Sequence, residues 1–405
     1  ITSRAEDGNN QLMANQLTAA DPNNLNVDLL LKSNDPSNAD PALRTGMQAG
    51  DQKQIFVGVL DGDLSVTTDI DLSDTATPTA LNNDLFLYTG TEGHNINLGS
   101  TVVAGDGDIT LNRVPVAEQG DASKQAVLIL QAGGDVTQTN STVMTAFEVE
   151  AEAPNGSVLL FTGTDQLEAE GGEGESVNIT NTTPANSQFM DAHPTNPQPT
   201  TVLQQEIITA GTGDITIVNT GSLTIDKAVK TTGTGNISIT ASSPLYITNE
   251  VSSGGDVTLV STGDTEFDGV FIQRDNGAGT NGTVQSNSVT DGSITITSDN
   301  SVHLDANAVL STLAGGANGS ITITADNNND VSGTGSAEIG LDAGSRITAA
   351  GGAPVTISST GGTLTMGDGA TVSSAGGAIT VTTGGNVELS LLDAGVTSGG
   401  NVSVT

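Results

Sequence analysis

From Gly213 onward, apolar and polar positions alternate in short runs that share one phrase: a glycine, a small polar residue, then apolar–polar–apolar. It reads Gly213-Asp214-Ile215-Thr216-Ile217, Gly235-Asn236-Ile237-Ser238-Ile239, Gly255-Asp256-Val257-Thr258-Leu259 and Gly292-Ser293-Ile294-Thr295-Ile296. It returns as Gly319-Ser320-Ile321-Thr322-Ile323, Gly377-Ala378-Ile379-Thr380-Val381 and Gly400-Asn401-Val402-Ser403-Val404, with a degenerate copy at Ala353-Pro354-Val355-Thr356-Ile357. Period-two alternation predicts strands with an aliphatic face turned inward and a Thr/Ser face turned to water. Each unit adds a second run, such as Ser222-Leu223-Thr224-Ile225 or Thr363-Leu364-Thr365-Met366, then a short third one, such as Ala228-Val229 or Thr371-Val372. Glycine-bearing corners separate the runs, and the paired glycines there are expected to supply positive φ.

Successive phrases begin 20 to 37 residues apart. Self-similarity at such a period predicts a solenoid, in which no unit can bury its apolar face alone and each must stack on its neighbours. The expected fold is therefore all-β: a single-stranded parallel β-helix, or β-solenoid, with about three short strands per coil. An antiparallel sandwich has strands of similar length, but it would not require the same three-part order in every unit. Ile215, Ile237, Val257, Ile294, Ile321, Val355, Ile379 and Val402 should form one internal stack, because parallel coils superpose equivalent positions. The closest spacings give the bare coil, and longer ones imply loops that leave the stack, notably a protrusion over 273–291.

Three regions follow. Residues 213–405 are regular solenoid, with bare coils of 20–24 residues. Residues 51–212 keep the pattern in diluted form, as in Gly107-Asp108-Ile109-Thr110-Leu111 and Gly134-Asp135-Val136-Thr137. Pro184, Pro194, Pro197 and Pro199 mark 182–200 as an excursion, since proline does not belong in a buried strand. Residues 1–50 read as an irregular segment with one strand candidate, Val27–Leu31.

Composition narrows the picture. Aromatic residues make up only 2% of the chain, so the core must be narrow and aliphatic. The formal charge of −37 repels nucleic acid and anionic lipid, which excludes both as direct partners, and no apolar stretch is long enough to insert in a bilayer. Cysteine is absent, so disulfide and thiolate chemistry are absent too. An acidic, cysteine-free, Thr/Asn/Gly-rich repeat suits an exported bacterial surface protein. The sequence starts at Ile1 without Met or a signal peptide and stops within a repeat phrase, and so reads as an excerpt of a longer polypeptide. On that reading another coil should pair with Asn401–Thr405, whose outer edge would otherwise be open.

The Gly-Asp-Ile-Thr-Ile and Gly-Ser-Leu-Thr-Ile series with its Gly-Gly turns resembles the repeats of filamentous-haemagglutinin-type adhesins and the giant surface proteins of Gram-negative and planctomycete-like bacteria. The likeness is strong over 213–405 and patchy before it. It implies a right-handed β-helix that is a non-enzymatic structural segment of a very large exported protein, placed at the cell surface as a rigid fibre, stalk, adhesin or coat. Implied partners are further copies or repeats of the same protein and cell-surface glycans.

Candidate chemistry is sparse. A polysaccharide lyase needs a base beside bound calcium, and a glycosidase needs two carboxylates at a set separation. A carbohydrate-active β-helix enzyme or carbohydrate-binding module is thus the alternative reading. Its one basic candidate in the longest C-terminal excursion is Arg274, beside Asp275, where a solvated protrusion is the simpler account. His94, His193 and His303 lack metal-ligand spacing, and His303, between Val302 and Leu304, should face solvent from a strand. The acidic runs carry more. Glu148, Glu150 and Glu152 alternate, which in a strand projects all three from one face; Glu168, Glu170, Glu173 and Glu175 follow around Gly171-Gly172. Calcium takes six to eight oxygens, roughly what stacked turns can offer, so Glu148, Glu150, Glu152, Glu173 and Glu175 are the metal candidates and calcium the one candidate cofactor. The competing reading is a solvated acidic face that keeps the protein soluble.

Overall fold

The computed structural model describes residues 10–13, 55–59, 62–66, 70–71, 84–90, 93–99, 108–111, 125–139, 143–185, 187, 200–263, 268–273, 282–288, 290, 292–313, 319–325, 337–395 and 400–405. Among them every regular element is a β-strand, and no helix is long and apolar enough to cross a membrane. The chain is a parallel β-solenoid. It divides into two compact units, Ile1–Phe189 and Met190–Thr405.

In the second unit three parallel ladders run side by side. Ile215, Ile237, Val257, Ile294, Ile321, Val355, Ile379 and Val402 are direct partners in that order, so the predicted stack exists. The second ladder aligns Leu223, Leu245, Val270, Val302, Ile339, Leu364 and Val387. The third aligns Ile207, Val229, Val251, Val284, Leu310, Ile347, Val372 and Leu392. The alternation read from sequence is the burial pattern itself: Ile237–Ala241, Val257–Ser261, Ile294–Ser298, Ile321–Ala325 and Val355–Ser359 all bury their odd positions and leave the even ones half-exposed. Aliphatic side chains fill a core only one coil wide, which explains how so few aromatics suffice.

Three expectations need correction. Val402 is in register but 46% exposed, because no described strand lies on its far side. The stretch 273–291 is not all protrusion: Thr283–Ser286 is a strand of the third ladder, held between Glu250–Ser253 and Val309–Thr312, with Val284 fully buried. The single aliphatic residue in Thr-Val-Gln-Ser is too weak a periodic signal to betray it. Gly282 N–H donates to the Gln273 carbonyl at 2.7 Å, closing the excursion at its base; Arg274 lies outside the described residues.

The third correction concerns glycine. Gly376 has the expected positive φ, but Gly254 and Gly255 do not; what demands glycine there is close stacking, since a Cβ on Gly254 would overlap the Gly233 carbonyl oxygen. Buried hydroxyls then satisfy the corner. At the ends of third-ladder strands, Ser253 Oγ donates to Gly235 O and Ser286 Oγ to Gly255 O, both at 2.7 Å, and Ser374 Oγ donates to Ala353 O at 2.7 Å. The same oxygens accept: Gly255 N–H donates to Ser253 Oγ at 2.9 Å and Gly377 N–H to Ser374 Oγ at 2.8 Å. The hydroxyls of Ser253 and Ser374 are therefore used as both donor and acceptor, and that of Ser286 as donor, which offsets the penalty of burying them.

The first unit follows the same plan less evenly. Asn10–Met13, within the segment read as irregular, pairs with Ile55–Val59, which pairs with Leu85–Thr89 and then Val127–Gln131. A second ladder runs through Leu64–Val66, Ile96–Leu98 and Val136–Gln138. Val27–Leu31 and most of 182–200 lie outside the described residues. Two long strands, Met144–Ala153 and Val158–Glu173, each turn a corner, so that one strand serves two ladders.

Candidate cation-binding site

The acidic run of the first unit sits on those two strands. Val149, Ala151 and Ala153 are fully buried, so alternation sends Glu148, Glu150 and Glu152 to the opposite face. The next coil repeats the arrangement: Leu167 and Ala169 are buried while Glu168 and Glu170 share the outer face. Register then stacks like on like, with Glu150 paired to Glu168, Glu152 to Glu170 and Glu148 to Gln166. On the preceding coil the partners are Val127, Ile129 and Gln131.

Carboxylate oxygens of Glu148, Glu150 and Glu168 lie within 4.8 Å of one another. Glu148 is only 9% exposed, and neither its carboxyl nor that of Glu168 has a hydrogen-bond or ion-pair partner among the described residues. Glu168 Oε2 is buried outright with no partner. Burial, followed by the charges of Glu150, Glu168 and Asp84, raises the Glu148 carboxyl to about 7. Burial, then Glu150, Glu152 and Glu170, raises Glu168 to about 7 as well. Glu150 is raised by burial and by Glu152 and Asp84. Every charge acting on the three is another carboxylate. Such a group can hold a hard cation or share protons; with no nitrogen or sulfur donor it suits no soft metal.

The structure thus joins Glu148 and Glu150 to Glu168 and leaves the other expected ligands apart. Glu152 accepts from Gln131 Nε2 at 2.7 Å. Glu173 is exposed at the end of its strand, and Glu175 Oε2 accepts from Ser157 Oγ at 2.8 Å. Glu168 was missed as a ligand although a signal exists: Glu148-Val149-Glu150-Ala151-Glu152-Ala153 matches Gln166-Leu167-Glu168-Ala169-Glu170-Gly171 at a fixed offset. That offset is one coil without an excursion.

A second cluster lies in the C-terminal unit. His303 faces outward between buried Val302 and Leu304, as its alternation predicts. Its Nε2 is 3.5 Å from Asp305 Oδ1 and 3.4 Å from Asp342 Oδ1, the latter one coil on. Gly340 pairs with His303 and makes room for the ring, which a Cβ there would strike. Sequence spacing concealed this trio because its third member comes from the next coil. His94 Nδ1 lies 3.7 Å from Asp63 Oδ1, and His193 is outside the described residues.

The chain matches no protein-family model, no curated protein and no solved structure.

Proposed function

We propose that the chain is a non-enzymatic structural segment of an exported bacterial surface protein, serving as a fibre, stalk, adhesin shaft or coat. The observation that carries this reading is the ladder from Ile215 to Val402, in which one position of the repeat stacks on itself coil after coil. A core of that kind grows by addition, and its stability accumulates from neighbour contacts rather than from a single centre. Apolar burial contributes roughly 25 cal/mol per Å² in each coil. The lopsided charge of −37 supports the same reading, since it keeps a long repetitive surface soluble.

Antibodies raised against the purified chain test it on intact cells of the organism that makes it. Surface labelling, abolished by mild external protease, is the expected result. Labelling that appears only after the cells are permeabilised would overturn the surface assignment.

A further inference from the structure

Like charges stacked in register are the opposite of what a sheet ordinarily selects, because directly opposed like charges destabilise a strand pair. A solvated acidic face would avoid the penalty by spreading its carboxylates into water. Glu148 and Glu168 do the reverse. The first is nine-tenths buried and without a partner, the second has a buried orphan oxygen, and both converge with Glu150 inside 4.8 Å. Burying an unpaired charge is strongly unfavourable unless something neutralises it.

We propose that Glu148, Glu150 and Glu168 bind one hard divalent cation of the calcium type, which clips the coil of Met144–Ala153 to the coil of Val158–Glu173. Two ligands come from one strand and the third from the next, so the ion converts a repulsive rung into a cross-link between coils. Oxygen-only donors on long, adaptable glutamate side chains fit calcium, which accepts irregular geometry, better than magnesium, which demands a near-octahedral shell and keeps its water. The proposal is independent of where the protein resides.

The experiment uses the full chain, stripped with chelator, in mildly alkaline buffer at constant ionic strength. Calcium chloride is the probe, in calorimetric titration and in thermal melts. Wild type is expected to show a saturable binding event and a melting temperature several degrees higher in about 1 mM calcium than in chelator. Glu168→Gln and Glu150→Gln should each lose that event and the calcium-dependent gain, while melting higher than wild type in chelator because repulsion is relieved. A Glu173→Gln/Glu175→Gln double variant should behave as wild type. Absence of a saturable event in wild type would overturn the proposal. So would a full calcium gain in both Glu168→Gln and Glu150→Gln, which would assign binding to the acidic surface at large.

Discussion

Oδ1 of Asp214 accepts the backbone N–H of Asn236 at 2.7 Å, one coil further along. Asn236 Oδ1 does the same for Asp256 N–H at 2.8 Å, and Asp256 Oδ1 for Ser293 N–H at 2.7 Å. The first unit repeats the device: Asp63 caps Asn95 at 2.8 Å, Asn95 caps Asp135 at 2.7 Å and Asp135 caps Ser157 at 2.8 Å. Asp or Asn at the entry to the first strand of a coil is therefore an acceptor for the coil that follows. Its side chain is short enough to reach the N–H that enters the strand before the ladder bonds begin.

Removing that acceptor should weaken one junction and nothing else. Asp256→Ala takes the acceptor from both Ser293 N–H and Ser293 Oγ, the latter at 2.9 Å. We expect a loss of about 1 kcal/mol in urea unfolding, since the site is exposed and water replaces part of the interaction. Asp256→Asn keeps the acceptor and should retain most of the stability. Equal losses in the two variants would point to charge, not capping.

Close stacking at the corners predicts a sharp contrast between two glycines. Gly254→Ala drives a Cβ into the Gly233 carbonyl, a backbone atom that cannot swing away, and should cost about 3 kcal/mol or more. Gly163→Ala places its Cβ 3.8 Å from Thr145 Oγ1 and 3.9 Å from Thr182 O, in ordinary contact. It should stay within about 1 kcal/mol of wild type. Denaturant melts of the two variants decide the matter.

The carboxylate rung predicts an inverted pH response in chelator. Glu148 and Glu168 carry folded-state values near 7 against an ordinary 4.5, so the folded protein binds more protons than the unfolded chain between those values. Stability from this pair is then highest below about 4.5, falls as pH rises toward 7, and levels off above it. Glu150, Glu152, Glu170 and Asp84 are the charges that face the pair and sustain the shift. Glu168→Gln should flatten the fall in melting temperature across this window. An unchanged slope in that variant would locate the titration elsewhere.

Much of this was legible in the chain. The phrase Gly-Asp-Ile-Thr-Ile names its own neighbours, because a parallel stack pairs each residue with its equivalent, and Ile215 on Ile237 could be written down from alignment alone. What escaped was whatever depends on residues one coil apart without a shared phrase. Asp342 beside His303 is such a contact, and an excursion of variable length hides the offset that would reveal it; Glu168 opposite Glu150 also joins two coils, but there the undisturbed offset was readable. Thr283–Ser286 escaped for a different reason: one valine among polar residues is a strand only because Val251 and Leu310 lie on either side of it. The corner glycines were identified correctly, but the expected positive φ holds at Gly376 and not at Gly254 or Gly255, since sequence shows that no side chain is tolerated but not what forbids it.

If a coil is an interchangeable structural unit, deleting one should leave a folded solenoid. Removing Ile237–Asp256 joins Asn236 to Val257, restores a Gly-Asn-Val-Thr-Leu phrase and sets Val257 on Ile215, Val270 on Leu223 and Val284 on Val229. The shortened chain should keep its far-ultraviolet β signal per residue and a cooperative thermal transition, lower than wild type by a few degrees. Loss of cooperative unfolding, with exposure of the core to a hydrophobic dye, would contradict this interchangeability.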